Sequence, residues 1–178
     1  MPDPAPAGPD WTQSGWREPA SLLPSRWGSY RGRYLGGLTL AFTGGLLIQL
    51  TSTYSLGVLP IGIFLHVAGW CILPGVGWRR VLASGASVLV MIILLNGAQA
   101  TPFLAVTLAA WLLVRQRPLV SYLTLALPPV GGLLLAQMFP DYGWGAVVLP
   151  VAGALLAGAA WLGRSLAAMR GRNTATTR

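Results

Sequence analysis

Residues 79–117 read RRVLASGASVLVMIILLNGAQATPFLAVTLAAWLLVRQR. Arginines close both ends, at Arg79, Arg80, Arg115 and Arg117, and none lies between. Two apolar runs fill the interval, divided by the short uncharged turn NGAQAT at 96–101. Arginine in the short loops of a membrane protein stays on the cytoplasmic side. The stretch therefore predicts two membrane helices, 80–97 and 99–114, that leave the inner face and return to it. The second is the shorter, and its Pro102 falls in the first turn, where proline is tolerated.

Working outward, a helix needs roughly 20 residues to cross the hydrocarbon core, within about 17 to 25. Apolar runs of that length predict spans at 34–52 and 55–76 before the central pair, and at 119–139 and 144–164 after it. The outer turns TSTYS at 51–55 and PDYG at 140–143 again hold no arginine. All twelve basic residues are arginines, and with the N-terminus inside every one falls on an inner segment. A missed or added helix would scatter the later arginines over both faces. The expectation is an all-α polytopic integral membrane protein of six transmembrane helices in three hairpins, N-in and C-in. Residues 1–20, rich in Pro and Ala, read as a disordered cytoplasmic tail. Residues 21–33, SLLPSRWGSYRGR, read as an interfacial segment, and 165–178 as a basic cytoplasmic tail.

Composition agrees. The chain is 54% hydrophobic and 9% charged, whereas a soluble domain carries about a quarter charged residues. The net charge of +8 raises nucleic acid as a partner, but the arginines flank apolar runs instead of lining a polar face. Anionic lipid headgroups are the expected partner for Arg26, Arg31, Arg33, Arg79, Arg80, Arg115 and Arg117. The opening MPDPAPAGPDWTQSGWREPA lacks the basic stretch and apolar core of a cleavable signal. The lysine-free composition, rich in Ala, Gly, Pro and Arg, resembles that of a GC-rich bacterium, which points to a bacterial plasma membrane. Cys71 is the single cysteine, so no intrachain disulfide is available.

In lipid, small residues four apart mark faces where helices approach closely. Gly37, Ala41 and Gly45 form such a strip on the first helix, with Gly36 and Gly44 beside it. It seats either a helix of the same chain or another subunit. Gly153 with Ala157, and Ala154 with Gly158, mark the sixth helix. Pro128 and Pro129 predict a kink or break in the fifth. Gly62, His66 and Gly69 share one face of the second helix, and His66 is the only histidine. A polar group at that depth faces protein or a cavity. His66 therefore bonds across helices, to a carbonyl or to Ser84, Ser87 or Thr107, or it lines a pocket or a proton path. Gln49, Asn96 and Gln137 lie near the outer turns, where they either form a polar mouth or simply close the turns.

The residue set excludes several chemistries. One His and one Cys make no metal centre, no nucleophile motif or phosphate loop is present, and no catalytic residue or cofactor is expected. Two functions remain. One is an accessory or scaffold subunit of a membrane assembly, with a membrane-protein partner or a second copy on a small-residue face. The other is a small-solute transport component, a substrate-binding subunit or passive permease, with His66 lining its pocket. In size, helix number and small-residue first helix the chain resembles the substrate-capturing subunits of energy-coupling-factor transporters, with no specificity motif in common.

Overall fold

A computed structural model describes residues 28–176, and among these there is no strand. Six helices follow in order: α1 Tyr30–Gln49, α2 Val58–Ile72, α3 Gly77–Ile93, α4 Leu104–Val114, α5 Leu127–Met138 and α6 Gly145–Thr176. Short 3-10 pieces extend three of them: Leu94–Asn96 after α3, Ala98–Phe103 before α4 and Leu119–Ala126 before α5. Three stretches, Gly77–Asn96, Leu119–Met138 and Gly145–Met169, are long and apolar enough to cross a membrane. Val58–Ile72 and Ala98–Val114 are shorter apolar helices. The N-terminal tail expected at 1–20 and the headgroup residue Arg26 lie outside the described residues.

Local chemistry sets the boundaries. Ser29 caps α1 by accepting the Gly32 N–H at 3.1 Å. Leu73, next to Pro74, is extended at ψ 138°, as a residue before proline must be, and α2 stops there. Gly97 turns the chain at φ +89°, a conformation that costs a residue with a Cβ. At the end of α4, Gln116 takes the left-handed position (φ 53°) usually given to glycine. The Arg117 N–H then returns to the Leu112 carbonyl at 3.0 Å, and the Gln116 N–H to Leu113 at 3.2 Å, closing the helix by a Schellman motif.

Pro128 and Pro129, where a kink or break is expected, stand at a change of winding. Residues 119–126 are wound as a 3-10 helix, and α5 begins at Leu127, so both prolines fall in its first turn, where missing N–H groups cost least. The span changes winding there and continues. Since a 3-10 residue rises about 2.0 Å against 1.5 Å in an α-helix, Leu119–Met138 reaches about 34 Å. By the same arithmetic Ala98–Val114 reaches about 28 Å. The last helix also runs beyond the expected end at 164, continuing to Thr176.

The start of α1 meets the end of α2, and the start of α3 meets the ends of α2 and α4. α4 lies at the centre. Leu104, Thr107, Leu108, Ala110, Leu112 and Val114 are all buried on its short length. Trp70, Leu73, Ala83, Ala110 and Val114 form one core cluster, and Val90, Leu104, Leu135 and Ala152 form another. Large apolar side chains such as Phe42, Phe64, Leu123 and Trp161 face outward. That inverted surface suits acyl chains as solvent.

Candidate functional site

The α1–α2 contact is made by glycines. A Cβ on Gly44 would fall on the His66 amide nitrogen, and one on Gly69 would fall on the Ala41 amide nitrogen. A Cβ on Gly37 would come within 2.8 Å of the Gly69 carbonyl, and one on Gly62 within 2.9 Å of the Ile48 nitrogen. The small residues of the two helices thus interlock backbone to backbone. Gly37, Ala41, Gly44 and Ile48 meet the backbone of α2. Gly45 stands one position aside, with its Cβ position 3.5 Å from His66 Nδ1 and 3.6 Å from Met91 Sδ. Gly36 faces open space.

This seat holds His66, which is 3% exposed. Its Nδ1 lies 2.7 Å from the Ala41 carbonyl oxygen. A carbonyl only accepts, so Nδ1 carries the proton and donates it there. Nε2 then has a lone pair, which accepts the Trp70 Nε1–H at 3.1 Å and the Ser87 hydroxyl at 2.8 Å. One imidazole therefore ties α1, α2 and α3 together with every ring nitrogen engaged. Ser87 is wholly buried, so its hydroxyl is closed to any substrate in this arrangement, although a serine facing a histidine is the first half of a nucleophile–base pair.

The other hydroxyls named from sequence go elsewhere. Ser84 bonds the Val81 carbonyl of its own helix at 2.8 Å. Thr107 is buried with its Oγ1 unpartnered. Two further bonds were not legible in the sequence. The Thr101 hydroxyl is shared between the Ala98 carbonyl at 2.6 Å and the Gly132 carbonyl at 3.1 Å, and Ser121 donates to the Gly163 carbonyl at 2.7 Å. With the His66 bond to Ala41, each joins a polar side chain to the carbonyl of a small residue on a neighbouring helix.

From His66 a line of rings runs to the arginine-bearing end. Trp70 meets Trp111 edge-on at 6.3 Å, Trp111 meets Tyr34 at 6.1 Å, and Tyr34 stacks on Tyr30 at 6.4 Å. The buried Arg115 guanidinium lies over Tyr34 at 4.6 Å, Trp111 at 5.5 Å and Tyr30 at 5.8 Å. Around it, arginines close the carbonyl ends of helices. Arg33 Nε donates to Ile72, Arg80 Nη1 donates to Cys71 and Leu73, and Arg79 Nη1 donates to Leu113. A cation at a helix C-terminus is favoured by the helix dipole.

At the opposite end, Gln49 Nε2 donates to the Met91 carbonyl at 2.8 Å, and Asn96 donates to Ile93 within its own turn. Gln137 is exposed. No hydrogen bond among the described residues joins the turns at this end to one another. On α6 the small residues expected to mark a packing face are turned away from the other helices of this chain. Gly153, Ala154, Ala157 and Gly158 are exposed, and nothing stands within 4 Å of a Cβ position on Gly153 or Gly158. The helix packs inward through Ala152, Leu156, Ala159, Gly163 and Ala167.

Among the described residues no group of His, Cys, Asp or Glu side chains is arranged to hold a metal ion. No protein family, curated protein or solved structure matches this chain.

Proposed function

We propose that the chain is an accessory or scaffold subunit of a membrane assembly, crossing the bilayer six times with both ends on the cytoplasmic side. The observation that carries this reading is the outward face of α6. Ala154, Ala157 and Gly158 lie opposite its buried face, and Gly153 lies at the edge. Small residues four apart let a second helix approach closely, and in α1–α2 the same spacing is filled by this chain's own backbone. On α6 it is turned to the outside, ready for a helix of a partner. The collection of Arg33, Arg79, Arg80 and Arg115 at one end supports the six-span topology, because arginine-bearing ends stay cytoplasmic. The 3-10 winding that lengthens Ala98–Val114 to about 28 Å supports a crossing there, against a core of about 30 Å.

Affinity purification in mild detergent, with mass spectrometry of copurifying proteins and small molecules, tests the reading. The variants are Ala157→Leu and Gly158→Leu. A stoichiometric protein that copurifies with the native chain and is lost from both variants is expected. A small solute that copurifies instead, and is lost in His66→Ala, overturns the subunit reading in favour of solute transport.

A further inference from the structure

We infer that Leu119–Met138 is a span of two windings, whose first half, Leu119–Ala126, exchanges 3-10 for α and so fits the length of the span to the thickness of the bilayer. The inference rests on this stretch being a membrane crossing, and not on the subunit reading. Here Leu119–Ala126, eight residues long, is wound as a 3-10 helix, and Leu127–Met138 forms α5. Runs of 3-10 helix beyond three or four residues are uncommon, because their hydrogen-bond geometry is poorer than that of an α-helix. The buried residues of the span are Ser121, Thr124, Pro128, Gly132 and Leu135. Their spacing of three, four, four and three is that of one face of a continuous α-helix. The burial pattern thus suits α winding throughout, while the first half is wound otherwise.

Pro128 and Pro129 oppose that pattern. Proline has no N–H, so α winding would deprive the Thr124 and Leu125 carbonyls of the donor four residues on. In 3-10 winding the donor lies three residues on, and the Leu127 N–H reaches the Thr124 carbonyl. One backbone bond is recovered, and an unsatisfied backbone group in lipid is costly. Side chains fasten the same form: Ser121 donates to the Gly163 carbonyl of α6 at 2.7 Å, and Thr124 to the Ser121 carbonyl at 2.8 Å. The gain of one backbone bond stands against poorer bonding along the whole first half, and both act on the same segment.

The two windings differ in length. The span reaches about 34 Å as it stands and would reach about 30 Å with α winding throughout. The hydrocarbon core is about 30 Å and varies by a few Å among membranes, and a span longer than the core must tilt, kink or thicken the lipid. A thin bilayer therefore selects the α form and a thick one the 3-10 form. Rewinding also turns Ser121 by about 120° relative to α5, roughly 20° for each residue up to Leu127, and takes its hydroxyl off Gly163.

The test uses the full chain with Cys71→Ser and with spin labels on Leu119→Cys and Met138→Cys, exposed positions at the two ends of the span. The distance between the labels is measured by double electron–electron resonance in phosphatidylcholine bilayers of fourteen-carbon and of twenty-two-carbon chains. Expected is a distance about 4 Å shorter in the thin bilayer. A second pair on α6, at the exposed Val147→Cys and Trp161→Cys, should not move. Pro128→Ala returns a donor to the Thr124 carbonyl in α winding, and should hold the shorter distance in both bilayers. One distance in both bilayers with the prolines in place overturns the proposal. So does a Pro128→Ala chain that keeps the longer distance, or an equal shift on α6. Release of the chain from membranes by alkaline carbonate overturns the crossing itself, and the proposal with it. The bilayer comparison stands even where Pro128→Ala folds poorly.

Discussion

His66 sits at the junction of three helices, and its chemistry there follows from what surrounds each nitrogen. The Ala41 carbonyl fixes the proton on Nδ1, and Trp70 and Ser87 both donate to Nε2. Interhelical bonds in membrane proteins are worth about 0.6 kcal/mol on average and up to about 1.7 kcal/mol. His66→Ala removes two of them and leaves the buried Trp70 N–H without its acceptor, so a loss of about 2 kcal/mol is expected. A double-mutant cycle with Ser87→Ala, followed by unfolding in detergent, should return a coupling energy of about 0.6 to 1.7 kcal/mol. Zero coupling would remove the Ser87 bond from the account. Sequence narrowed the hydroxyl partner to Ser84, Ser87 or Thr107. It could not choose among them, because that choice depends on how α3 and α4 are rotated about their own axes.

At the scale of the helix, small residues carry the packing, and their register decides which of them lie closest. From Ala41, position 44 lies three residues on and position 45 lies four, and both remain on the same side of the helix. Gly44 is the residue pressed against the His66 backbone, and Gly45, in the strip expected from spacing, lies against the His66 ring. Gly44→Ala should therefore cost about 3 kcal/mol, at the upper end for overpacking, because a backbone atom cannot turn aside. Gly45→Ala meets the His66 ring at ordinary contact distance, and Gly36→Ala meets nothing. Both should leave the unfolding midpoint within about 0.5 kcal/mol of native or raise it slightly through helix propensity. A large loss in Gly36→Ala would show a neighbour outside this chain. On α6 the ambiguity is of a different kind. Small residues lie all round that helix, at 152, 159, 163 and 167 on one side and 153, 154, 157 and 158 elsewhere. Spacing alone gives no preference between the faces, and only the neighbours at Leu112 and Gly131 select one.

For the whole molecule, apolar run length and arginine placement were the legible quantities. The six expected runs correspond to helical segments displaced by a few residues at their ends, except for the long continuation of α6. The winding change before Pro128 was illegible, since a first-turn proline and a mid-helix proline look alike until the start of the α-helix is known. The proposed topology makes a direct prediction. A fluorescent-protein fusion after Val76 or Gln116 should be bright, and one after Thr53 or Gly97 dark, while a periplasm-dependent phosphatase reporter gives the reverse. A single position with the opposite sign would remove or add a crossing. The α1–α2 pair also has a bearing on biosynthesis. Every backbone contact that locks it falls between Gly37 and Leu73, a short separation that closes quickly. The α1–α2 contacts need no residue of α3, and of the three bonds to His66 only the one to the Ser87 hydroxyl waits for it. The second helix enters assembly as half of a finished latch, and the arrival of the third is the step that shuts it.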